Sequence, residues 1–283
     1  MIDDTNTRDS QDSQDDTAER YNVPALERGL RILGEFSRHS RTVAPPELAR
    51  RLNLSRATVF RLLTTLESLG FVERTESGRE FRLGLAVLRL GFEYLAAMPL
   101  NELGLPLLNK LAEEIAFPCN LVVRDGRSIV YVARVSPRSL ASPFVSVVNV
   151  GTRLPAHATV LGRMLLADLS LDKLRALFPE SELESFSPDT PKNADELYQL
   201  ARQDLERGYA MGEGFFETNI SSVAAPVRDH SGHIIAALGV TVNSGRFKDA
   251  QLDPERLERI VQGVCRSAHE LSGLLNYAPR AGE

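Results

Sequence analysis

Apolar residues recur at helical spacing in three segments near the start of the chain, and each segment predicts an amphipathic helix. The first segment lies within residues 22–39 and carries Leu26, Leu30, Leu33 and Phe36 on one face. The second follows a pair of prolines, which suit a helix start because the first turn leaves its N–H groups unpaired. The third comes after a short turn, so the three segments together predict a small helical domain.

The third segment has the clearest start and stop. Ser55 is a good N-cap because its hydroxyl can accept a bond from a first-turn N–H, and Gly70 suits the end of a helix. Two short strands follow, FVERT and EFRLG, around the turn ESGR. The apolar stripe between cap and stop is formed by Val59, Leu62, Leu63, Leu66 and Leu69. The order helix, helix, tight turn, helix and hairpin predicts a winged helix-turn-helix.

The face of the third helix opposite its apolar stripe carries small polar groups and two arginines. In a winged helix-turn-helix this face enters the major groove, where arginine can bind guanine and threonine can contact a thymine methyl. The arginines of the hairpin are placed to meet phosphates or the minor groove. The candidate DNA-binding residues are Ser55, Arg56, Ala57, Thr58, Phe60, Arg61, Thr64, Arg74, Arg79 and Arg82. A three-helix bundle that mediates protein contacts is the alternative.

A second kind of apolar spacing follows Gly84. Leu85, Leu88, Phe92 and Leu95 have the 3-4-3 spacing of a short coiled coil. Such a linker helix can pair with its copy in a second subunit, which predicts a dimer or a tetramer. Packing of the same helix on its own domain is equally compatible with the sequence. Another helix is predicted from about residue 100 to residue 116.

From residue 119 the apolar period changes to two, which predicts strands. CNLVVRDGRSIVYVARV is a hairpin, and SVAAPVRDHSGHIIAALGVTV is a second one. Strands flanked by helices at both ends predict an α+β domain whose sheet holds a small molecule. The remaining predicted elements are a strand at 144–150, a loop into a helix near residue 157, helices at 170–178 and 193–207, a glycine-rich loop at 208–216 and a last helix at 251–276.

Charge is distributed unevenly, and this changes what the net charge of −5 implies. Residues 1–20 hold seven acidic and two basic side chains, whereas residues 21–85 hold eleven arginines and seven glutamates. A local basic segment matters more for DNA binding than the global balance. The expected organisation is a disordered acidic tail at 1–20, a DNA-binding domain at 21–84, a linker or dimerisation helix at 85–99, an effector-binding domain at 100–277 and a flexible end at 278–283.

Several classes of site find no support in the sequence. There is no P-loop, no GxGxxG motif after a strand and no GxSxG motif, so no cofactor and no catalytic residue are expected. His230 and His233 lie in a turn, and a metal would need further ligands, so no metal is expected. No membrane segment or secretion signal is apparent, and two distant cysteines suit a reducing cytoplasm. The chain is therefore not expected to be an enzyme.

Several stretches are similar to those of a known family. PALERGLRILGEFSR, PPELARRLNLSRATVFRLLTTLESLGFVER and FRLG resemble the DNA-binding domain of IclR-type bacterial transcription regulators. VGTRLPAHATVLGRMLLA and RGYAMGEGFFETNISSVAAPVRDHSGHIIAALGVTV resemble the two signature stretches of the family's effector-binding domain. The resemblance implies a one-component repressor or activator that binds a promoter palindrome as a dimer or dimer of dimers. It also implies a GAF-like C-terminal domain that senses a metabolite.

The resemblance also implies where the effector binds. The implied pocket residues are Val147, Asn149, Val160, Leu161, Gly212, Ile220, Ser222, Gly239 and Thr241. From its position alone His157 could bond a ligand carboxylate, although such a histidine more often bonds a backbone carbonyl. Three arginines flank the first hairpin and could pair with an anionic effector, although the default interpretation is a solvated charge. They are Arg124, Arg134 and Arg138.

The effector expected from this pocket is aromatic or otherwise partly apolar. Val160 and Leu161 stand where many members of the family have a Gly-Ala pair, and the stretch after RGY lacks the acidic pair that many members have. GFEYLAAMPLNELGLPLL and YVARV also resemble the branch that regulates aromatic-acid catabolism, such as the PcaR and PobR regulators. The expected partners are therefore double-stranded promoter DNA, an aromatic or organic acid and a second copy of the chain, and no membrane. An enzyme acting on an aromatic acid, or a DNA-binding protein without an effector, remains as an alternative.

Overall fold

The chain folds into two compact units, Met1–Tyr94 and Leu95–Glu283. The computed structural model describes residues 22–37, 40–138, 148–217, 220–243 and 254–278. The expected acidic tail at 1–20 lies entirely outside the described residues.

The described part of the N-terminal unit before Ala86 contains three helices and a two-stranded antiparallel hairpin. Its elements are α1 (Pro24–Gly34), α2 (Pro45–Arg51), α3 (Arg56–Ser68), β1 (Val72–Arg74) and β2 (Phe81–Leu83). Ile32, Leu48, Val59, Leu63 and Phe81 form the centre of its core. The hairpin turns at Gly78, whose φ of 69° is open to glycine at no steric cost. This is the predicted winged helix-turn-helix.

The first helix differs from its prediction in length and in the face that it buries. It ends at Gly34, and the residues it buries are Gly29 and Ile32, with Phe36 buried just beyond it. Leu26 and Leu30, which were expected to face inward, are exposed. The core-facing row of α1 is thus the one at positions 29, 32 and 36, and Ile32 and Phe36 are its members in the core.

Two helices link the N-terminal hairpin to the first strand of the larger sheet. They are α4 (Ala86–Ala96) and α5 (Pro99–Ile115). α4 buries none of its residues, although it is rich in leucine, whereas α5 contributes Leu107, Leu108 and Leu111 to a core. α5 ends at Ala116, whose φ of 58° lies in the left-handed region and stops the helix.

In the described residues of the C-terminal unit, a six-stranded antiparallel sheet is covered by helices on both faces. The strands lie in the order β5-β4-β3-β8-β7-β6. They are β3 (Cys119–Asp125), β4 (Ser128–Val135), β5 (Arg153–Pro155), β6 (Ala210–Glu213), β7 (Ile220–Arg228) and β8 (Ile234–Asn243). The further helices are α6 (Val160–Leu166), α7 (Leu171–Leu177), α8 (Ala194–Arg207) and α9 (Pro254–Leu274), with a 3-10 turn at Ala156–Ala158.

The side chains of the central strands alternate between two hydrophobic cores. Leu121, Val223 and Leu238 pack with α5 and α9, whereas Val122 and Ala224 pack with α6, α7 and α8. Successive residues of a strand point to opposite faces, so this alternation assigns every residue of β3, β7 and β8 to one face or the other. The fold confirms the predicted α+β class.

Two predictions for this unit are wrong in detail. Residues 208–216, expected to be a glycine-rich loop, contain strand β6, which pairs with β7. The sequence AMGE contains no β-branched residue, so its side chains gave no strand signal. The strand forms because its backbone groups pair with those of β7. The strand expected at 144–150 is not seen at 148–150, and residues 144–147 lie outside the described residues. β5 lies instead at Arg153–Pro155, within the segment predicted as a loop.

Candidate DNA-binding surface and effector pocket

The start of α3 has the expected cap. The backbone N–H of Thr58 donates to Ser55 Oγ at 3.1 Å, and the two hydroxyl groups lie 2.9 Å apart. The hydroxyl of Thr58 is thus held against the cap, and its side chain is half-buried. Ser55 therefore fixes the first turn of α3 and also restricts the side chain of Thr58.

The outward face of α3 carries most of the predicted base-contacting residues. Arg56, Ala57, Arg61 and Thr64 are exposed. Phe60 is 55% exposed and places an apolar ring among them. This combination of guanidinium groups, a methyl and an exposed ring matches the groups that read base edges in a major groove.

The arginines of the N-terminal unit fall into two sets. Arg74 bonds Glu67 at 2.9 Å and lies 4.7 Å from the centre of the Phe81 ring, and Arg82 bonds Glu73 at 2.6 Å. Within the described residues, a second set forms no ion pair. Its members include Arg56, Arg61 and Arg79. The positive charge available to DNA therefore lies on α3 and at the tip of the hairpin.

The register of the larger sheet brings several of the predicted effector residues to one face. Gly212 pairs with Ser222, and Ser222 pairs with Thr241. Cross-strand partners share a face of the sheet, and so do residues two apart on one strand. Gly212, Ser222 and Thr241 therefore lie on the same face as Ala224. Ala224 packs with the core of α6, so this row of the sheet faces α6.

Polar and apolar groups meet on this face. Ser222 Oγ donates to Thr241 Oγ1 at 3.3 Å, and Ser222 is buried while Thr241 is half-buried. A Cβ at Gly212 would lie 3.2 Å from Val160 Cγ2 and 2.3 Å from the ring of Phe215. Gly212 is therefore needed for the close approach of Val160 and Phe215 to the sheet.

The remaining predicted pocket residues are placed differently. Val160 and Leu161 are buried in the core on this side of the sheet, and Ile220 is half-buried at the start of β7. Asn149 is exposed in the loop before β5, where its backbone N–H donates to Thr152 Oγ1 at 2.9 Å. Val147 lies outside the described residues.

His157 has a backbone partner. Its Nε2 lies 2.9 Å from the carbonyl oxygen of Glu184, and its ring meets the edge of Phe178 at 5.6 Å between centroids. The imidazole is buried. This matches the alternative interpretation of His157, in which it bonds a carbonyl and fixes the segment 183–187 against the 3-10 turn.

A buried ion pair in the C-terminal unit lies beside Phe215, the ring that packs over Gly212. Arg163 of α6 pairs with Asp204 of α8, and their side chains are only 4% and 3% exposed. Arg163 also donates to the carbonyl oxygen of Met211 at 3.1 Å and lies 4.4 Å from the centre of the Phe215 ring. One buried side chain thus ties α6, α8 and β6 together.

Two further polar residues lie on the same face. Asn120 was not singled out from the sequence, whereas Arg134 was named as a possible partner of an anionic effector with a solvated charge as the default interpretation. Asn120 is fully buried, and Arg134 is half-buried rather than fully solvated. Arg134 Nη1 donates to Asn120 Oδ1 at 3.1 Å, and burial lowers the pKa of the Arg134 guanidinium. Their pairing across β3 and β4 could be found from the sequence only by aligning the two strands of the hairpin, because a bulge shifts the register.

Other chemistry is limited within the described part of the chain. The described residues contain no group of three or more histidine, cysteine or acidic side chains that could hold a metal ion. Among the same residues no helix is long and apolar enough to cross a membrane. Burial raises the pKa of the Cys119 thiol far above its ordinary value, so this thiol is unreactive.

Comparison with known proteins matches both units. Residues 25–76 match the model of the IclR helix-turn-helix domain, and residues 92–272 match that of the bacterial transcriptional regulator IclR C-terminal domain. The Pca regulon regulatory protein of Pseudomonas putida is 30% identical over 252 residues, which cover 89% of this chain and 85% of that protein.

Solved structures give the same result. The IclR transcriptional regulator of Alicyclobacillus acidocaldarius is 26% identical with a TM-score of 0.78, and it covers 90% of this chain and 100% of its own. A transcriptional regulator from Rhodococcus sp. RHA1 is 31% identical with a TM-score of 0.74, and it covers 90% of this chain and 98% of its own. These relatives are named as regulators, which favours DNA binding over catalysis. The chain is a member of the IclR family of bacterial transcriptional regulators.

Proposed function

We propose that this regulator binds a promoter palindrome through α3 and that a small aromatic acid, bound in the C-terminal unit, controls that binding. The observation that carries the first part is the exposed face of α3, on which Arg56 and Arg61 form no ion pair among the described residues. In this proposal Arg56, Thr58 and Arg61 contact bases, and Arg79 contacts a phosphate. Arg74 and Arg82 reach the backbone only when they exchange Glu67 and Glu73 for phosphates.

Regulators of the IclR family bind DNA and small-molecule effectors. The proposed effector class for this chain follows from the face of the sheet below α6. Hydroxyl groups of Ser222 and Thr241 lie there beside Val160 and Phe215. Such a surface suits a ligand with an aromatic ring and a few polar groups, because the ring can pack on the apolar side chains and the polar groups can bond the hydroxyls. The resemblance to regulators of aromatic-acid catabolism supports the same class.

We also propose that the chain self-associates through α4. Leu85, Leu88 and Phe92 are exposed, and α4 buries no residue. A second copy would cover this seam and present two recognition helices to the two halves of a palindrome. Leu95, the fourth residue of the predicted seam, packs instead against the core of the C-terminal unit.

Footprinting tests the proposal. The purified chain is bound to DNA upstream of its own gene and of the adjacent genes, with and without a panel of aromatic acids. We expect protection of a palindrome and a change of that protection by one class of acid. Protection that no acid alters would favour constitutive DNA binding. Absence of protection at moderate salt would overturn the DNA-binding role and leave the C-terminal unit to be tested for turnover of aromatic acids.

A further inference from the structure

We infer that Arg134 and Asn120 form a carboxylate-binding subsite on the sheet face below α6, an inference that rests on the effector-binding function proposed above. β3 and β4 pair the two residues, and β8 places Gly239 opposite Asn120. The cross-strand row therefore runs from Arg134 through Asn120 and Gly239 to Ala224, on the face that carries Ser222 and Thr241.

The chemistry of the pair fixes the orientation of the Asn120 amide. A guanidinium group has donors only, so Arg134 must face the carbonyl oxygen of the amide. This is the observed contact, with 3.1 Å between Arg134 Nη1 and Asn120 Oδ1. The amide nitrogen therefore points away from Arg134. It is buried and has no hydrogen-bond partner among the described residues.

A buried amide donor without an acceptor is unfavourable, and a ligand oxygen removes that penalty. The Asn120 side chain is fully buried, so solvent does not reach it from the surface of the unit. Two other polar side chains of the same face, Ser222 and Thr241, bond each other. The unpartnered donor of Asn120 therefore marks a place that an acceptor group of a ligand fills.

Arg134 supplies the charge that selects an anion. Arg153 and Arg175 in the same unit each have a carboxylate partner, and so does the buried Arg163. Arg134 is half-buried and forms no ion pair within the part of the chain that the structure describes. A guanidinium remains charged at physiological pH and binds a carboxylate through two parallel N–H groups.

The groups near the pair suit the carboxylate of a small organic acid. Gly239 lies between Asn120 and Ala224 in this row and adds no side chain to the face, and a Cβ there would lie 2.5 Å from the Val223 carbonyl oxygen. The neighbouring groups are the hydroxyls of Ser222 and Thr241, with Val160 above Gly212. A carboxylate on Arg134 and Asn120 would thus place the rest of the ligand over a surface that accepts a ring and a hydroxyl group.

The test compares acids with their uncharged amides on the full chain. Benzoate, 4-hydroxybenzoate and 3,4-dihydroxybenzoate are titrated by calorimetry beside the three corresponding carboxamides. For the wild type we expect at least one acid to bind about tenfold or more tightly than its amide. Arg134→Gln should weaken that acid by about 10- to 100-fold and leave the amide nearly unchanged, since the lost bonds involve an ionised group.

Two further variants guard against misfolding and indirect effects. Asn120→Asp keeps the shape of the side chain but offers Arg134 an internal partner and repels a carboxylate, so it should also abolish the preference for acid. Arg124→Gln is the matched control, because Arg124 is an exposed arginine of the same hairpin that bonds the Gly126 carbonyl oxygen. It should leave the preference intact.

The outcomes separate this inference from the proposed function. Equal binding of acid and amide by the wild type, or an acid affinity that Arg134→Gln and Asn120→Asp do not lower, would overturn the subsite. An acid that still alters the footprint in either case would leave the proposed function standing. If none of the six compounds binds, both the subsite and the aromatic-acid effector fall, while the DNA-binding role is judged by the footprint alone.

Discussion

At the scale of single residues, the arginines of the N-terminal unit differ in whether they have an acidic partner. Arg61 lies on the outward face of α3 and Arg79 lies at the tip of the hairpin, each without an ion pair among the described residues. Arg74 is held by Glu67. An arginine without an acidic partner can bind DNA directly, whereas a paired arginine must first lose its partner. Arginines of equal charge should therefore contribute unequally to the free energy of DNA binding.

This difference predicts the behaviour of three variants. Arg61→Ala should cost about 1–3 kcal/mol at the cognate site and relax base choice, because it removes a base contact. Arg79→Ala should weaken all sequences alike and reduce the slope of log K against log salt by about 1. Arg74→Ala should change that slope less than Arg79→Ala does. Anisotropy titrations at several salt concentrations measure all three, and an equal loss on random and cognate DNA would remove Arg61 from base reading.

The buried ion pair of the C-terminal unit leads to a second prediction. Asp204 is the partner of Arg163, and both are almost fully buried. Asp204→Asn keeps the shape but leaves a buried cation unpaired, so it should lower the free energy of unfolding by about 3–5 kcal/mol. Asp195→Asn is the control, since Asp195 pairs with Arg175 at the surface and should cost at most about 1 kcal/mol. Urea denaturation followed by circular dichroism compares the two, and equal losses would contradict the role of burial.

At the scale of elements, the cap of α3 links stability to DNA binding. Ser55 accepts the bond from the Thr58 N–H, and no other side chain performs this role at the start of α3 among the described residues. Ser55→Ala should therefore cost about 1 kcal/mol of domain stability. Ser55→Asp should keep the cap but weaken DNA binding, because it adds a negative charge beside the phosphates. Thermal melting and operator titration separate these effects, and an unchanged melting temperature for Ser55→Ala would contradict the cap.

Elements differed in how well the sequence predicted them. The helix α3 and the two hairpins were predicted because cap, stop and period agree within short segments. β6 and β5 were missed because their pairing depends on the backbone of β7 and β4, which no local pattern contains. The default interpretation of Arg134 as a solvated charge was wrong for a related reason. Arg134 is half-buried and bonds Asn120 on the neighbouring strand, and the pattern of a single strand does not show what lies beside it.

For the whole molecule, the distinctive feature of α4 is that it buries none of its residues within the described part of the chain. Its Leu85, Leu88 and Phe92 are exposed, which is costly for a chain acting alone. The double variant Leu88→Glu/Phe92→Glu should shift the mass measured by light scattering from an oligomer towards a monomer. Arg89→Glu, which changes charge on the same helix without touching the apolar seam, is the control. An unchanged mass for the double variant would place the interface elsewhere.

The central claim is that an acid held in the C-terminal unit alters binding of DNA by α3. The most direct measurement is the Kd of the full chain for its footprinted palindrome, by anisotropy, with and without a saturating acid. We expect a change of about 5- to 150-fold for the wild type, the range that allosteric coupling energies give, and no change for Arg134→Gln at the same concentration. A wild-type Kd that stays constant while calorimetry shows the acid bound would contradict effector control. The chain would then be a constitutive DNA-binding protein.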